Sequence, residues 1–174
     1  MSKSSMAGLS VSNLAQRVIE VCVKKGVHLA LAESLTGGLL ADSLVAVPGA
    51  SKVLLFSVVA YHDAAKHQLL RVKTVTLATF GAVSSQTAQA MAVGAREALT
   101  EFPTVETTSI IGLATTGVAG PDLQEGKPVG QVHLGLATHS GVDSRDLNLA
   151  GNREEIRVEA TRQALLFVLE EIGD

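Results

Sequence analysis

The chain contains no tryptophan and one tyrosine, and aromatic residues make up 3% of its 174 positions. A core without large rings must be built from Ala, Val, Leu and Ile, and apolar residues, at 47%, are numerous enough for one domain to bury them. Cys22 is the only cysteine, which excludes an internal disulfide and a cysteine-based zinc cluster and fits a reducing compartment. Charge is also scarce: charged residues make up 18%, the net charge is −3 and the isoelectric point is near 5.9. Nothing here forms the basic field that attracts a phosphate backbone, so no direct nucleic-acid partner is expected. No apolar run reaches the ~18–20 residues of a membrane span, so no membrane partner is expected either. Met1 to Ser10 is small and polar and lacks the apolar stretch of a secretion signal. It reads as a disordered start to one cytoplasmic domain covering residues 11–174.

What the chain does have is regular alternation. Val11 to Lys25 predicts an amphipathic helix with Leu14, Ala15, Val18 and Cys22 on one face, Ser12 as its cap and Gly26 as its stop. Val27 to Ala32 predicts a buried strand. Leu39 to Val47 predicts a helix halted by Pro48-Gly49, and Val53 to Ala60 a second strand. His62 to Leu70 and Thr74 to Phe80 predict short helices. Ser84 caps a longer helix running to Glu101, with Ala88, Met91, Ala92, Ala95, Leu99 and Phe102 at helical spacing. Thr108 to Thr115 predicts a third strand, followed by a Gly/Pro-rich loop, Gly117 to Pro128. Val129 to Thr138 and Asp143 to Leu149 predict a hairpin turning at Ser140-Gly141. Asn152 and Glu155 have the spacing of a reciprocal cap on the last helix. Helices alternating with strands, then a hairpin, predict a three-layer α/β/α sandwich with a mixed sheet. Apolar Gly/Ala-rich helices pack well face to face, so a homo-oligomer is also expected.

Chemistry can sit at three places. The first is the junction Glu33-Ser34-Leu35-Thr36-Gly37-Gly38, which puts a hydroxyl at the carboxyl end of a strand, where open α/β sheets bind ligands. Gly37 and Gly38 allow close backbone approach, and N–H groups at a helix start can hold an oxyanion. The plainer reading of the same residues is a helix cap. Glu33 is open to two readings, a partner for Lys66 or a cap on a neighbouring helix. The second is Tyr61 with Lys66: a strand-end tyrosine and a lysine on the next helix can turn toward one cleft, where a desolvated lysine serves as a base. The plainer reading is a surface lysine whose stem covers the core edge. The third is Thr115-Thr116-Gly117-Val118-Ala119-Gly120-Pro121, whose N–H groups can form an anion nest, or a simple loop. It lacks the Gly-Lys-Ser/Thr ending of a nucleoside-triphosphate loop. His62, His67, His133 and His139 match no metal spacing, so no metal is expected.

In order and spacing, Ala32 to Gly38, Val47 to Ser51, Tyr61 to Leu70, Gly81 to Ser84, Thr116 to Pro121, Lys127 to Gly130 and Gly151 to Arg153 together resemble the CinA C-terminal domain family, which also occurs alone as nicotinamide-nucleotide amidase. The resemblance runs from about Val11 to Ile172. It implies hydrolysis of the amide of nicotinamide mononucleotide to nicotinate mononucleotide and ammonia, with no cofactor. It maps the family's serine to Ser34 and its tyrosine and lysine to Tyr61 and Lys66. Around them Glu33, Thr36, Gly37, Gly38, Thr116, Gly117, Gly120 and Arg153 are the expected substrate-binding residues, with Arg153 and the loop near the phosphate. Three positions, in two segments, depart from the family pattern. Leu35 replaces the usual Cys, and His62-Asp63 replaces a common Ser-Asn, which sets a carboxylate near Lys66. The larger N-terminal domain of full family proteins has no counterpart in this sequence, and its chemistry is not carried over. The alternatives are a pyridine-nucleotide-binding module without turnover, a protein-interaction role, and an amidase for a different amide.

Overall fold

The computed structural model describes residues 8–99 and 106–173. Residues 1–7 of the expected N-terminal segment lie outside the described residues. Leu9 packs against the core and Ser10 caps the first helix, α1 (Val11–Lys25), its hydroxyl accepting from the Asn13 N–H at 3.2 Å. The cap is therefore Ser10, not Ser12: the chain is still extended at Ser10 (φ −66°, ψ 162°), whereas Ser12 already lies in the first helical turn. Gly26, at φ 65°, ends the helix, and the Val27 N–H donates back to the Cys22 carbonyl at 2.9 Å. That bond holds Val27 in the helix terminus, so the first strand, β1, is His28–Glu33 rather than 27–32.

The remaining elements are α2 (Leu39–Val45), β2 (Leu54–Val59), α3 (Asp63–Leu70), α4 (Thr74–Phe80), α5 (Ser85–Glu97), β3 (Ile110–Gly117), β4 (Gln131–Ala137), β5 (Val142–Asn148) and α6 (Arg153–Ile172). Each departure from expectation has a local cause. Ala46 closes α2 two residues early. Ala98 closes α5 at Glu97; the expected continuation through Glu101, and Phe102 beyond it, lie outside the described residues. Thr107–Ser109 forms a 3₁₀ turn, so β3 begins at Ile110 and runs on to Gly117. The capping box of Asn152 and Glu155 on α6 is present as read.

The strands form one mixed sheet in the order β2-β1-β3-β4-β5, with β1 parallel to β2 and β3, and β4 antiparallel to both its neighbours. The carboxyl ends of β1, β2 and β3 therefore share one edge. The two faces are covered differently, which makes this an α/β/α sandwich. On one face α1, α2 and α6 bury large aliphatic side chains, among them Leu14, Leu31, Leu113, Leu134 and Leu165. Each contributes about 1.5–3 kcal/mol by leaving water. Cys22 lies in this layer, and burial pushes its thiol up to about 12. The other face carries Ala30, Ala32, Ala92, Ala95, Ala114 and Met91 under α3 and α5. Here the backbones themselves approach: a Cβ at Gly112 would fall on the Ala92 carbonyl, one at Gly135 on the Ala88 carbonyl, and one at Gly94 on the Leu70 carbonyl. Among the described residues no helix is long and apolar enough to cross a membrane.

Candidate active site

At the shared carboxyl edge, Ser34 leaves β1 in a tight loop. Its N–H donates to the Thr115 carbonyl at 2.9 Å, tying the loop to β3. Glu33 resolves its two readings in favour of the cap. Fully buried, its carboxylate accepts from the N–H groups of Gly38 (3.0 Å), Leu40 (3.1 Å) and Ala41 (2.9 Å) at the start of α2. Three charge-assisted bonds at a helix N-terminus satisfy a charge that could not otherwise stay dry. They also explain why a carboxylate can end a buried strand. The Gly37 N–H donates to the Ser34 carbonyl (3.1 Å), and Gly37 and Gly38 take φ of 62° and 97°, the left-handed region the turn requires. Thr36 is buried, its hydroxyl sharing a 2.7 Å bond with that of Thr115.

Glu33, Thr36, Gly37 and Gly38 thus shape the loop and do not line the cleft beside it. Among the described residues the N–H groups of Leu35 and Thr36 have no acceptor, and neither does the Ser34 hydroxyl. Of these, Leu35 also lines the cleft, so its N–H is the loop donor available to an oxyanion there; those of Gly37 and Gly38 are engaged.

Ser34 opens into a cleft of about 90 Å³ whose wall also includes Tyr61, Lys66, Thr116, Gly117, Gly120 and Arg153. Lys66, on α3, is 2% exposed. Its ammonium nitrogen donates to the Tyr61 carbonyl at 3.1 Å and pairs with the Asp63 carboxylate at 3.3 Å. Lys66 is thus a buried polar group lining the same cleft as Ser34, not a surface lysine. The carboxylate at 63 does lie beside it, while His62 caps α3 by accepting from the Ala64 N–H. Tyr61 is 59% exposed, and its hydroxyl meets neither Ser34 nor Lys66 but a guanidinium N–H of Arg153 at 3.1 Å. A second Arg153 N–H donates to the Gly120 carbonyl at 2.7 Å. Thr116 donates its hydroxyl to the Ala82 carbonyl at 2.7 Å, and Gly117 packs on Gln131 and Val132 of β4, so both build the wall from behind. The N–H groups of Ala119 and Gly120 have no acceptor among the described residues.

Sequence reasoning missed the parts that hold this wall. Lys127 donates to the Phe80 carbonyl at 2.8 Å and to that of Val83, and Glu125 accepts from the Ala82 N–H at 3.0 Å. These clamps bring Ala82, Val83, Asp122 and Gln124 to the cleft. Arg157, one turn after Arg153, donates to the Thr36 carbonyl at 2.8 Å and braces the serine loop. The spacing of two arginines four apart on one helix face was the available signal. Among the described residues no three His, Cys, Asp or Glu side chains gather as a metal site.

Residues 11–172 match the CinA C-terminal domain. A putative competence-damage inducible protein of Desulforamulus reducens is 45% identical over 152 residues, which are 87% of this chain and 35% of that protein. A CinA-like protein of Frankia casuarinae is 47% identical over 151 residues, 87% of this chain and 33% of that one. The chain spans about a third of the length of these curated relatives. Among solved structures, the competence/damage inducible protein CihA of Agrobacterium tumefaciens superposes with a TM-score of 0.82 at 38% identity, covering 94% of this chain and 96% of that one. The competence damage-inducible protein A of Klebsiella pneumoniae gives 0.85 at 30% identity, covering 95% and 98%.

Proposed function

The chain belongs to the CinA C-terminal domain family, and on that premise we propose that it is a cytoplasmic amide hydrolase that converts nicotinamide mononucleotide and water to nicotinate mononucleotide and ammonia. One observation carries the reading: an unpartnered serine hydroxyl and a buried lysine side chain line one cleft, together with Leu35, whose N–H has no acceptor among the described residues.

In the proposed sequence Lys66, in its neutral form, takes the proton of Ser34 as the hydroxyl oxygen attacks the carboxamide carbon. The cationic pyridinium next to that carbon makes it electrophilic. The Leu35 N–H stabilises the oxyanion, and losing such a donor typically costs ~2.7–4 kcal/mol of barrier. Lys66 returns the proton to the amide nitrogen, the C–N bond breaks and ammonia leaves. Water, deprotonated by Lys66, then cleaves the nicotinoyl ester, freeing the carboxylate and restoring the serine. In this reading the ring end of the substrate enters the cleft, and its ribose and phosphate lie toward Arg153 and the loop that holds Gly120. Glu33 and Arg157 act through the loop as positioning residues.

Incubating the protein with nicotinamide mononucleotide and quantifying ammonia and nicotinate mononucleotide tests this directly. Turnover in the parent, lost in both Ser34→Ala and Lys66→Ala, is the expected result; turnover that survives Ser34→Ala rules out the serine route. The Asp63–Lys66 ion pair favours a second reading, a nucleotide-binding module without turnover. Calorimetric binding of the nucleotide with no ammonia released would select it.

A further inference from the structure

Arg153 stands between the serine cleft and solvent, and its contacts are unusual for a residue that would simply await an anion. Each of its two terminal nitrogens is engaged by a cleft residue from a different segment: the Gly120 carbonyl in the loop after β3, and the Tyr61 hydroxyl after β2. The guanidinium therefore bridges the two segments at the rim of the cleft. Both acceptors are neutral oxygens. Among the described residues no carboxylate lies within ion-pair distance of Arg153, so its charge is uncompensated. A phosphate dianion offers charge-assisted, bidentate bonds about twice as strong as those to a phenol or a carbonyl. It would also reach the free N–H groups of Ala119 and Gly120, next to the carbonyl that the guanidinium holds.

We propose that Arg153 is a phosphate-operated clamp: the substrate's phosphate draws the guanidinium off Tyr61 and Gly120, and the released tyrosine turns its hydroxyl into the cleft. The proposal rests on the amidase reading for its substrate and adds to it a role for the phosphate in the chemistry itself. The residue that is released also supplies the carbonyl holding Lys66, so the clamp connects the mouth to the base through a single residue. Binding energy at a remote group is in this way converted into rate, and a substrate lacking that group loses kcat as well as affinity.

The test compares nicotinamide mononucleotide with nicotinamide riboside, which has the same amide and no phosphate, in the presence and absence of phosphite dianion. The riboside should turn over with a kcat on the order of 100-fold below that of the nucleotide. Phosphite should restore roughly 10-fold or more of that loss in a saturable way. Arg153→Ala should abolish the phosphite effect and bring the nucleotide down to the riboside rate, with partial rescue by free guanidinium. Equal kcat for the two substrates, differing only in KM, would overturn the clamp, as would equal phosphite stimulation of Arg153→Ala. If the parent releases no ammonia from either substrate, the amidase reading fails by itself and the clamp is read without turnover. Tyr61 is the only tyrosine in a chain that has no tryptophan, so the emission comes from Tyr61 and the Arg153→Ala variant isolates the part due to the Arg153 contact. Phosphite should change that emission in the parent and leave Arg153→Ala unchanged; an unresponsive parent sinks the proposal.

Discussion

The loop after β1 and the loop after β3 leave the same edge of the sheet and line the same cleft, yet the balance of what holds them differs. The first adds a dense local set of bonds to its long-range ties to Thr115 and Arg157: Glu33 accepts three N–H groups within eight residues, and Gly37 closes on Ser34. The second is held from a distance. Glu125 reaches back 43 residues to Ala82, Lys127 reaches 44 and 47 residues to Val83 and Phe80, and Arg153 reaches 33 to Gly120. A locally closed loop is preorganised and keeps its donors in place through the reaction, as nucleophilic chemistry requires. A loop pinned by a few long-range side chains can adjust to what it binds. Under the proposed function, the first loop carries the nucleophile and the second carries most of the contacts to the bound nucleotide.

The largest effect that would sharpen this division is Ser34→Ala, expected to lower kcat/KM at least about 10⁴-fold while the thermal midpoint stays put. Parent-like turnover would leave the first loop without its assigned role. Next comes Glu33→Ala, which orphans three N–H groups at the start of α2. It should cost about 2–3 kcal/mol in urea unfolding and reduce kcat roughly 100-fold with little change in KM. Smaller again are Glu125→Ala and Lys127→Ala, each expected to raise KM roughly 5-fold and leave kcat within a factor of about two. A kcat loss as deep as that of Glu33→Ala would erase the contrast between the loops. Smallest is Asp63→Asn, which keeps a hydrogen-bonding partner for Lys66 and removes the charge. Asp63 is half exposed and the pair is screened, so kcat should rise only a few-fold. A fall in kcat would show that the ion pair positions the lysine.

The same contrast marks what could be read from sequence. Helix α1, the Ser84 and Asn152 caps and the Gly26 stop are local devices, and their residues signal them within a turn. That Ser34, Tyr61 and Lys66 line one cleft was legible only through the resemblance, which maps all three to one site; the residues alone paired Tyr61 with Lys66 and left Ser34 as a separate candidate. Glu33 stayed open because a carboxylate beside a serine has the same appearance whether it meets a lysine or a helix start; only the position of α2 decides. The binding role expected of Gly37 and Gly38 missed that their N–H groups are engaged within the loop itself. The Tyr61–Arg153 bond spans 92 residues, and the Glu125 and Lys127 clamps more than 40, distances at which no periodicity carries information.

The close seating of α5 on Gly112 and Gly135 has a consequence for how this protein can change over generations. Where a layer's spacing is set by side chains, each substitution is an opportunity to repack, and the α1 and α6 face can exchange one aliphatic for another of similar volume with modest loss. Where spacing is set by backbone against backbone, there is no side chain to exchange, and the distance is inherited unchanged. Helix α5 begins just after Ala82 and Val83, two residues of the cleft wall. One layer can therefore drift while the other acts as a fixed datum, and the wall keeps its height above Ser34 whatever the opposite face becomes.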